Sequence, residues 1–247
     1  MTGRQAPGQA VVFAGPSVDR ATRRILPAQY RPPVVRGDID ELLRRPVRPR
    51  MIGVIDGKFL QSMAISPKEI LRALDVGVAV YGSSSMGALR AVECEPWGMI
   101  GVGRVFAAYR TGTVDADDEV AMVYDDDDRP LSEPLINLRL ALADGIAAGE
   151  VEPDHARAFL DAGRRLYFPH RSVRAILRML REDLADTDVA RLADYLTCRG
   201  ADAKREDARE LLFRMRADLS GGLPRRAVVT HDRTGGGPDP AHLVGDQ

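Results

Sequence analysis

Short runs of apolar residues alternate with helical stretches over the first half of the chain, and this alternation constrains the fold most strongly. Three runs have the length and composition of buried strands, at residues 11–14, 51–55 and 78–81. Runs that are apolar on both faces are typical of parallel strands covered by helices on each side. The sequence therefore predicts an α/β core over residues 10–130, a three-layer parallel sheet with right-handed crossovers.

The segments between these runs have helical character. Helices are predicted over residues 18–26, 39–45 and 66–76, and an extended piece over residues 33–35. The third helix has the best-defined start, because Ser66 at the N-cap, Pro67 at the first position and Glu69 at the third form a capping box.

The second half of the chain has a different pattern. Helical periodicity recurs over residues 131–148, 153–166, 172–183, 189–198 and 204–219, without a strand of comparable strength. We therefore expect a mostly α-helical C-terminal part over residues 131–219. Residues 1–9 and 220–247 are polar and rich in Gly and Pro, which predicts a disordered N-terminus and a flexible tail.

Charge and composition argue against several classes of protein. A formal net charge of −1 and an aromatic content of 5% give no case for nucleic-acid binding. No apolar run approaches the roughly 20 residues that span a bilayer, and no signal peptide is recognisable, so a cytoplasmic protein without membrane contact is expected. The Cys and His spacings match no metal site, and the acidic run at residues 115–119 lacks EF-hand spacing. We expect neither metal nor cofactor.

Polar residues follow the predicted strands at the ends where open α/β sheets bind ligands. These residues are Ser17, Asp38, Asp56 and the three serines Ser83, Ser84 and Ser85. We expect them to line one rim of the sheet, within reach of solvent.

The serine segment combines a strand, a tight turn and the start of a helix. It is similar to a nucleophile elbow with Ser85 as the nucleophile and Gly87 allowing a close approach, although the G-x-S-x-G pattern is imperfect. Free N–H groups at a helix start bind anions and stabilise oxyanions. The alternative is that the serines cap the helix and that Gly87 permits tight helix–strand packing.

Other charged residues each allow more than one interpretation. Asp56 is a base, a metal ligand or a turn former. Lys68 is a site residue or a surface lysine at a helix start. Arg90 recognises a carboxylate, or it pairs with Glu93 one turn further along the helix.

A set of short motifs between residues 15 and 139 resembles the TfuA-like family in order and spacing. The most distinctive is SMGALRA at 85–91, followed by Glu93. The others are GPS at 15–17, RPP at 31–33, RGD at 36–38, IDG at 55–57, KEIL at 68–71, GM at 98–99, GVGR at 101–104, YR at 109–110, DDEVA at 117–121, PLSEP at 130–134 and NLR at 137–139. The chain departs from the family at Ser66-Pro67, where members often carry Trp-His, and near Tyr124, where a histidine is common.

The resemblance implies a role in peptide backbone thioamidation, beside a YcaO enzyme that activates the peptide amide with ATP. It implies that the protein stimulates the YcaO enzyme and releases sulfide by hydrolysing the thiocarboxylate tail of a ubiquitin-like sulfur carrier. The protein would then contact the precursor peptide as part of the complex with the YcaO enzyme. A non-catalytic adaptor of the YcaO enzyme is the main alternative. An unrelated α/β hydrolase would need a histidine near Ser85, and a nucleotide-binding domain would need a glycine-rich phosphate loop.

The resemblance also implies roles for the residues expected at the rim of the sheet. Ser85 is the expected nucleophile, with Asp56 or Lys68 as proton acceptor. Alternatively, an activated water attacks instead, and Asp56 is the base or orients the attacking group. The remaining expected substrate contacts are Ser17, Asp38, Ser83, Ser84, Arg90 and Glu93.

Overall fold

A computed structural model describes residues 9–58, 64–125, 129–198, 200 and 202–222 of the chain. Within these residues, five strands form one sheet in the order β2-β1-β3-β4-β5, and every neighbouring pair is parallel. The strands are β1 (Ala10–Phe13), β2 (Gln29–Arg31), β3 (Met51–Val54), β4 (Ala79–Gly82) and β5 (Ile100–Gly101). The predicted α/β fold class is confirmed.

Helices connect the strands and make up the second half of the described chain. Those between and beside the strands are α1 (Asp38–Leu43), α2 (Pro67–Asp75), α3 (Met86–Cys94) and α4 (Arg104–Arg110). Those that follow are α5 (Leu135–Ala147), α6 (Pro153–Arg165), α7 (Val173–Leu180), α8 (Asp186–Cys198) and α9 (Ala203–Gly221). The capping box predicted at the start of α2 is present.

The largest local differences from the sequence-based prediction lie at the sheet edges. Residues 18–26 contain only the short 3-10 turn Thr22–Arg24, whose first N–H donates to Asp19 Oδ1, and not a full helix. The edge strand β2 precedes the predicted extended piece, of which Val34 forms a single parallel bridge to Gly57. Strand β5 has two residues, too few for a periodic signal.

Alternate residues of the strands pack against different layers. Val11, Phe13, Ile52, Val54 and Val80 face a core that includes residues of α1, α2 and α3. Ala10, Val12, Met51, Ile55 and Tyr81 face a second core to which α9 contributes Ala208, Leu211, Leu212 and Met215. The last described helix therefore covers one face of the sheet, and a Cβ at Gly53 would lie 2.7 Å from the sulfur of Met215.

Helices α5 to α8 form a separate apolar cluster around residues such as Leu135, Phe159, Ile176 and Leu192. Arg171, in the segment before α7, is fully buried and ties this cluster to the preceding loop. Its guanidinium donates to the backbone oxygens of Gly163, Leu166 and Asp118 and pairs with the Asp118 carboxylate at 2.9 Å. Among the described helices, none has the length and apolar character needed to cross a membrane.

Candidate functional site

Asp56 joins the loops that follow β1 and β3. Its Oδ2 accepts hydrogen bonds from the N–H groups of Gly15 at 2.8 Å and Ser17 at 3.1 Å, and its Oδ1 accepts the Ser17 hydroxyl at 2.7 Å. Both side chains are almost fully buried. A buried carboxylate with three donors fixes these loops against one another, because each donor would otherwise lose its hydrogen bond to water.

The serine turn lies beside Asp56 at the same edge of the sheet. The Ser83 N–H donates to Val54 O at 3.2 Å, and the Gly87 N–H donates to Ile55 O at 3.3 Å, which ties the turn to the end of β3. A Cβ at Gly87 would collide with the carbonyl of Val54. The tight helix–strand packing that the sequence suggests for Gly87 is therefore present.

Ser84 has the strained backbone in this turn. Its φ of 65° is the only positive value at a non-glycine residue in the described chain. The Ser84 hydroxyl donates to the backbone oxygen of Lys204 at 2.7 Å. The left-handed conformation costs about 1–2 kcal/mol, so the surrounding contacts hold this residue in place.

Ser85 differs from its neighbours because its hydroxyl makes no hydrogen bond within the described residues, and it does not cap α3. The next N–H along the chain, that of Met86, also has no acceptor there. In a nucleophile elbow, the N–H after the nucleophile helps to stabilise the oxyanion. The Ser85 N–H, by contrast, donates to Ser83 O at 2.7 Å.

Lys204 at the start of α9 is a functional candidate that sequence reasoning missed. Its side chain is buried, and its ammonium donates to Val120 O at 3.0 Å without a carboxylate in ion-pair contact among the described residues. Burial lowers the pKa of this ammonium, and nearby carboxylates oppose the shift, that of Asp56 most strongly. Lys204 thus places a buried amine close to the edge that holds Asp56 and Ser84.

A second buried carboxylate, that of Asp207 in α9, lies close to the segment that follows β5. Asp207 accepts hydrogen bonds from the N–H groups of Arg104 and Val105, both at 2.8 Å, and so caps α4 from outside that helix. Burial raises the pKa of the Asp207 carboxyl to about 6, although these two hydrogen bonds oppose the shift. In the sequence, both Lys204 and Asp207 look like ordinary polar positions of a charged helix.

Two of the remaining predicted residues lie at the starts of helices α1 and α2. Asp38 Oδ2 accepts the Val35 N–H at 2.9 Å and stabilises its own turn. Lys68 is exposed at the first turn of α2, where its N–H donates to the Ser66 hydroxyl.

Arg90 and Glu93 form the ion pair that the sequence offered as an alternative. One terminal nitrogen of the Arg90 guanidinium contacts both oxygens of Glu93, at 2.6 and 2.7 Å. Its Nε donates to Ile65 O at 2.8 Å, so Arg90 also fixes the loop before α2. Among the described residues, no group of three His, Cys, Asp or Glu side chains is arranged to hold a metal ion.

The fold and this edge define an α/β protein with a serine turn beside a buried carboxylate. Residues 56–172 match the family model described as TfuA-like protein. This match confirms the resemblance for the motifs that lie within these residues, whereas those at 15–17, 31–33 and 36–38 lie outside them. The matched segment begins at Asp56 and contains the serine turn, whereas Ser17 and Lys204 lie outside it. No curated protein matches the chain.

Proposed function

We propose that this chain acts with a YcaO enzyme in peptide backbone thioamidation, in the biosynthesis of ribosomally made and modified peptides. TfuA-like proteins are associated with YcaO-linked thioamidation, which supports the general role. The specific activity proposed is the release of sulfide from the thiocarboxylate tail of a ubiquitin-like sulfur carrier. The observation that carries it is the Ser85 hydroxyl, which has no hydrogen-bond partner among the described residues and is followed by the Met86 N–H at the carboxyl edge of the sheet.

The chemistry divides into two steps. The Ser85 hydroxyl oxygen attacks the thiocarboxylate carbon and loses its proton to a base, while the Met86 N–H stabilises the oxyanion. The base then returns its proton to the sulfur, the C–S bond breaks, hydrosulfide leaves, and the carrier tail is held as an ester on Ser85. Water hydrolyses that ester and returns a carboxylate tail. In a variant of this scheme, Ser85 orients a water molecule that attacks directly.

The proposed proton acceptors differ in their surroundings. Asp56 lies at the edge but already accepts three hydrogen bonds, so its role in this scheme is to hold Ser17 and the loop geometry. Lys68 is exposed at the start of α2 and has room to approach a bound tail. In its protonated form, the buried amine of Lys204 favours a negatively charged substrate at this edge.

The burial of the edge residues limits how a substrate reaches them. Ser17, Asp56 and Ser85 are only 4%, 3% and 4% exposed, so the expectation that they lie within reach of solvent is wrong for this structure. A carrier tail therefore reaches Ser85 only if the rim opens when the carrier or the YcaO enzyme binds. The same burial favours the second candidate function, a non-catalytic adaptor that docks on the YcaO enzyme and shifts its conformation.

Sulfide release from a thiocarboxylated carrier separates the two candidates. The purified chain is incubated with the carrier, alone and with the YcaO enzyme, and sulfide is followed by a fluorogenic probe. We expect release by the unaltered chain and at least a 100-fold lower rate for Ser85→Ala, in line with the loss of a nucleophile. Ser132→Ala is the matched control, because Ser132 is equally buried and its hydroxyl accepts the Val123 N–H away from the site.

The outcomes are distinct. Full hydrolysis by a folded Ser85→Ala variant excludes Ser85 as nucleophile. No release under either condition, together with faster thioamide formation by the YcaO enzyme, establishes the adaptor function instead.

A further inference from the structure

A groove of about 760 Å³ runs between α7 and α8, on the helical cluster and apart from the serine turn. Its apolar lining includes Leu177 from α7 and Val189, Ala190 and Ala193 from α8. Leu177 and Val189 belong to the core of the cluster, whereas Ala190 is exposed. The floor of the groove is thus fixed by packing, while its mouth is open to solvent.

Three arginines line the same groove. Arg174, Arg178 and Arg181 are exposed, and no carboxylate of the described residues lies within ion-pair distance of any of them. They follow the spacing i, i+4, i+7, so they lie along one side of the helix over about 10 Å. Asp186, at the start of α8, is the one acidic residue of the lining.

We propose that this groove binds an acidic amphipathic segment of a partner protein. Apolar side chains of the segment pack against Leu177 and Ala193, and carboxylates one to two turns apart pair with the arginines. Arginine forms bidentate pairs with carboxylates, and partial burial in the groove makes such pairs stronger than those on an open surface. This inference does not depend on whether Ser85 hydrolyses a thiocarboxylate.

The lining distinguishes this occupant from other anions. A free phosphate or a nucleic-acid strand would leave the apolar floor uncovered, and no aromatic ring lines the groove to stack with a base. A peptide helix covers the floor with one face and presents acidic residues along its borders. Helix-in-groove binding of this kind uses anchors at the spacing i, i+3, i+4 and i+7.

A displayed random-peptide library, with the full chain as bait, tests the inference. We expect the enriched peptides to carry at least two Asp or Glu residues interleaved with Leu, Ile, Val or Phe. One enriched peptide is then synthesised with a fluorophore, and its Kd is measured by anisotropy at low and at physiological salt. The groove variant is Arg174→Gln/Arg178→Gln/Arg181→Gln.

The matched control is Arg165→Gln/Arg209→Gln/Arg216→Gln, which removes three exposed arginines without ion pairs among the described residues. We expect at least a 10-fold weaker Kd for the groove variant and less than a 2-fold change for the control. Ala190→Glu adds a carboxylate inside the groove, and we expect it to weaken binding as well. Circular dichroism verifies that all three variants remain folded.

Several results would overturn the inference. Enriched peptides without acidic residues contradict it, as does equal weakening by the control variant, which indicates non-specific attraction. Self-association of the chain that disappears in the groove variant, seen by sedimentation, assigns the groove to a second copy instead. A library that yields no binder to the unaltered chain also refutes it.

Discussion

The carboxyl edge of the sheet and the groove between α7 and α8 are both rich in polar residues, but these residues have different burial and partners in the two places. At the edge, Asp56 and Asp207 are buried and accept hydrogen bonds from backbone N–H groups. In the groove, the arginines are exposed and have no acidic partner in the described chain. The edge uses its polar groups to hold the fold, and the groove leaves its charges for another molecule. Burial and partners therefore separate structural polar residues from recognition residues better than residue type does.

Gly87→Ala should give the largest effect, because it disrupts the packing of the edge. The added Cβ collides with the backbone of Val54, which cannot move without distorting the sheet. We expect a loss of more than about 3 kcal/mol in the free energy of unfolding, measured by urea denaturation. Gly221→Ala is the control, because nothing lies within 4 Å of a Cβ there, and its effect should stay within about 1 kcal/mol. Similar stability for the two variants would show that α3 does not pack against β3 this closely.

Asp56→Ala tests whether the carboxylate is as structural as its contacts indicate. The change leaves the Gly15 N–H and both donors of Ser17 without their acceptor. We expect a loss of about 3 kcal/mol, against about 1 kcal/mol for Ser17→Ala, which removes only one of the three hydrogen bonds. Both values come from denaturant curves at pH 7. If Asp56→Ala lowers the free energy of unfolding by less than Ser17→Ala does, other contacts hold the loops. The edge would then not differ from the groove in using its polar residues to stabilise the fold.

Most of the edge was predictable because its signals are local in sequence. The strand followed by Ser83–Ser85 and Gly87, the capping box at Ser66, and Asp56 after β3 all lie within short segments of standard geometry. The contact of Ser17 with Asp56 follows from the parallel order of β1 and β3, since both strands end at the same edge.

The contribution of α9 was not predictable in this way. The Ser84 hydroxyl meets Lys204 across 120 residues, and Asp207 meets the start of α4 across more than 100 residues. A charged helix with few apolar residues gives no sign that two of its polar side chains are buried. The groove was missed for a similar reason, because its arginines resemble any solvated helix face until α8 is placed beside them.

The titration of Asp207 should make the stability that this edge contributes depend on pH. Its folded pKa of about 6 lies above the ordinary value of 3.8, so the folded state binds the proton more tightly than the unfolded state. The resulting stabilisation is fully present below about pH 4 and is lost as the pH rises through about 6. We expect the difference in unfolding free energy between the unaltered chain and Asp207→Asn to change by about 1–3 kcal/mol between pH 4 and 7. Parallel curves for the two proteins would contradict this.

The triple variant Arg174→Gln/Arg178→Gln/Arg181→Gln should have the smallest effect on stability. Its side chains make no ion pair in the described chain, so their removal costs no internal contact. It also relieves repulsion between like charges one turn apart, so we expect a change within about 0.5 kcal/mol by urea denaturation. A loss above about 1 kcal/mol would mean that the arginines support the helical cluster themselves. The groove would then resemble the edge, with polar groups that stabilise the fold, and its availability to a partner would no longer follow.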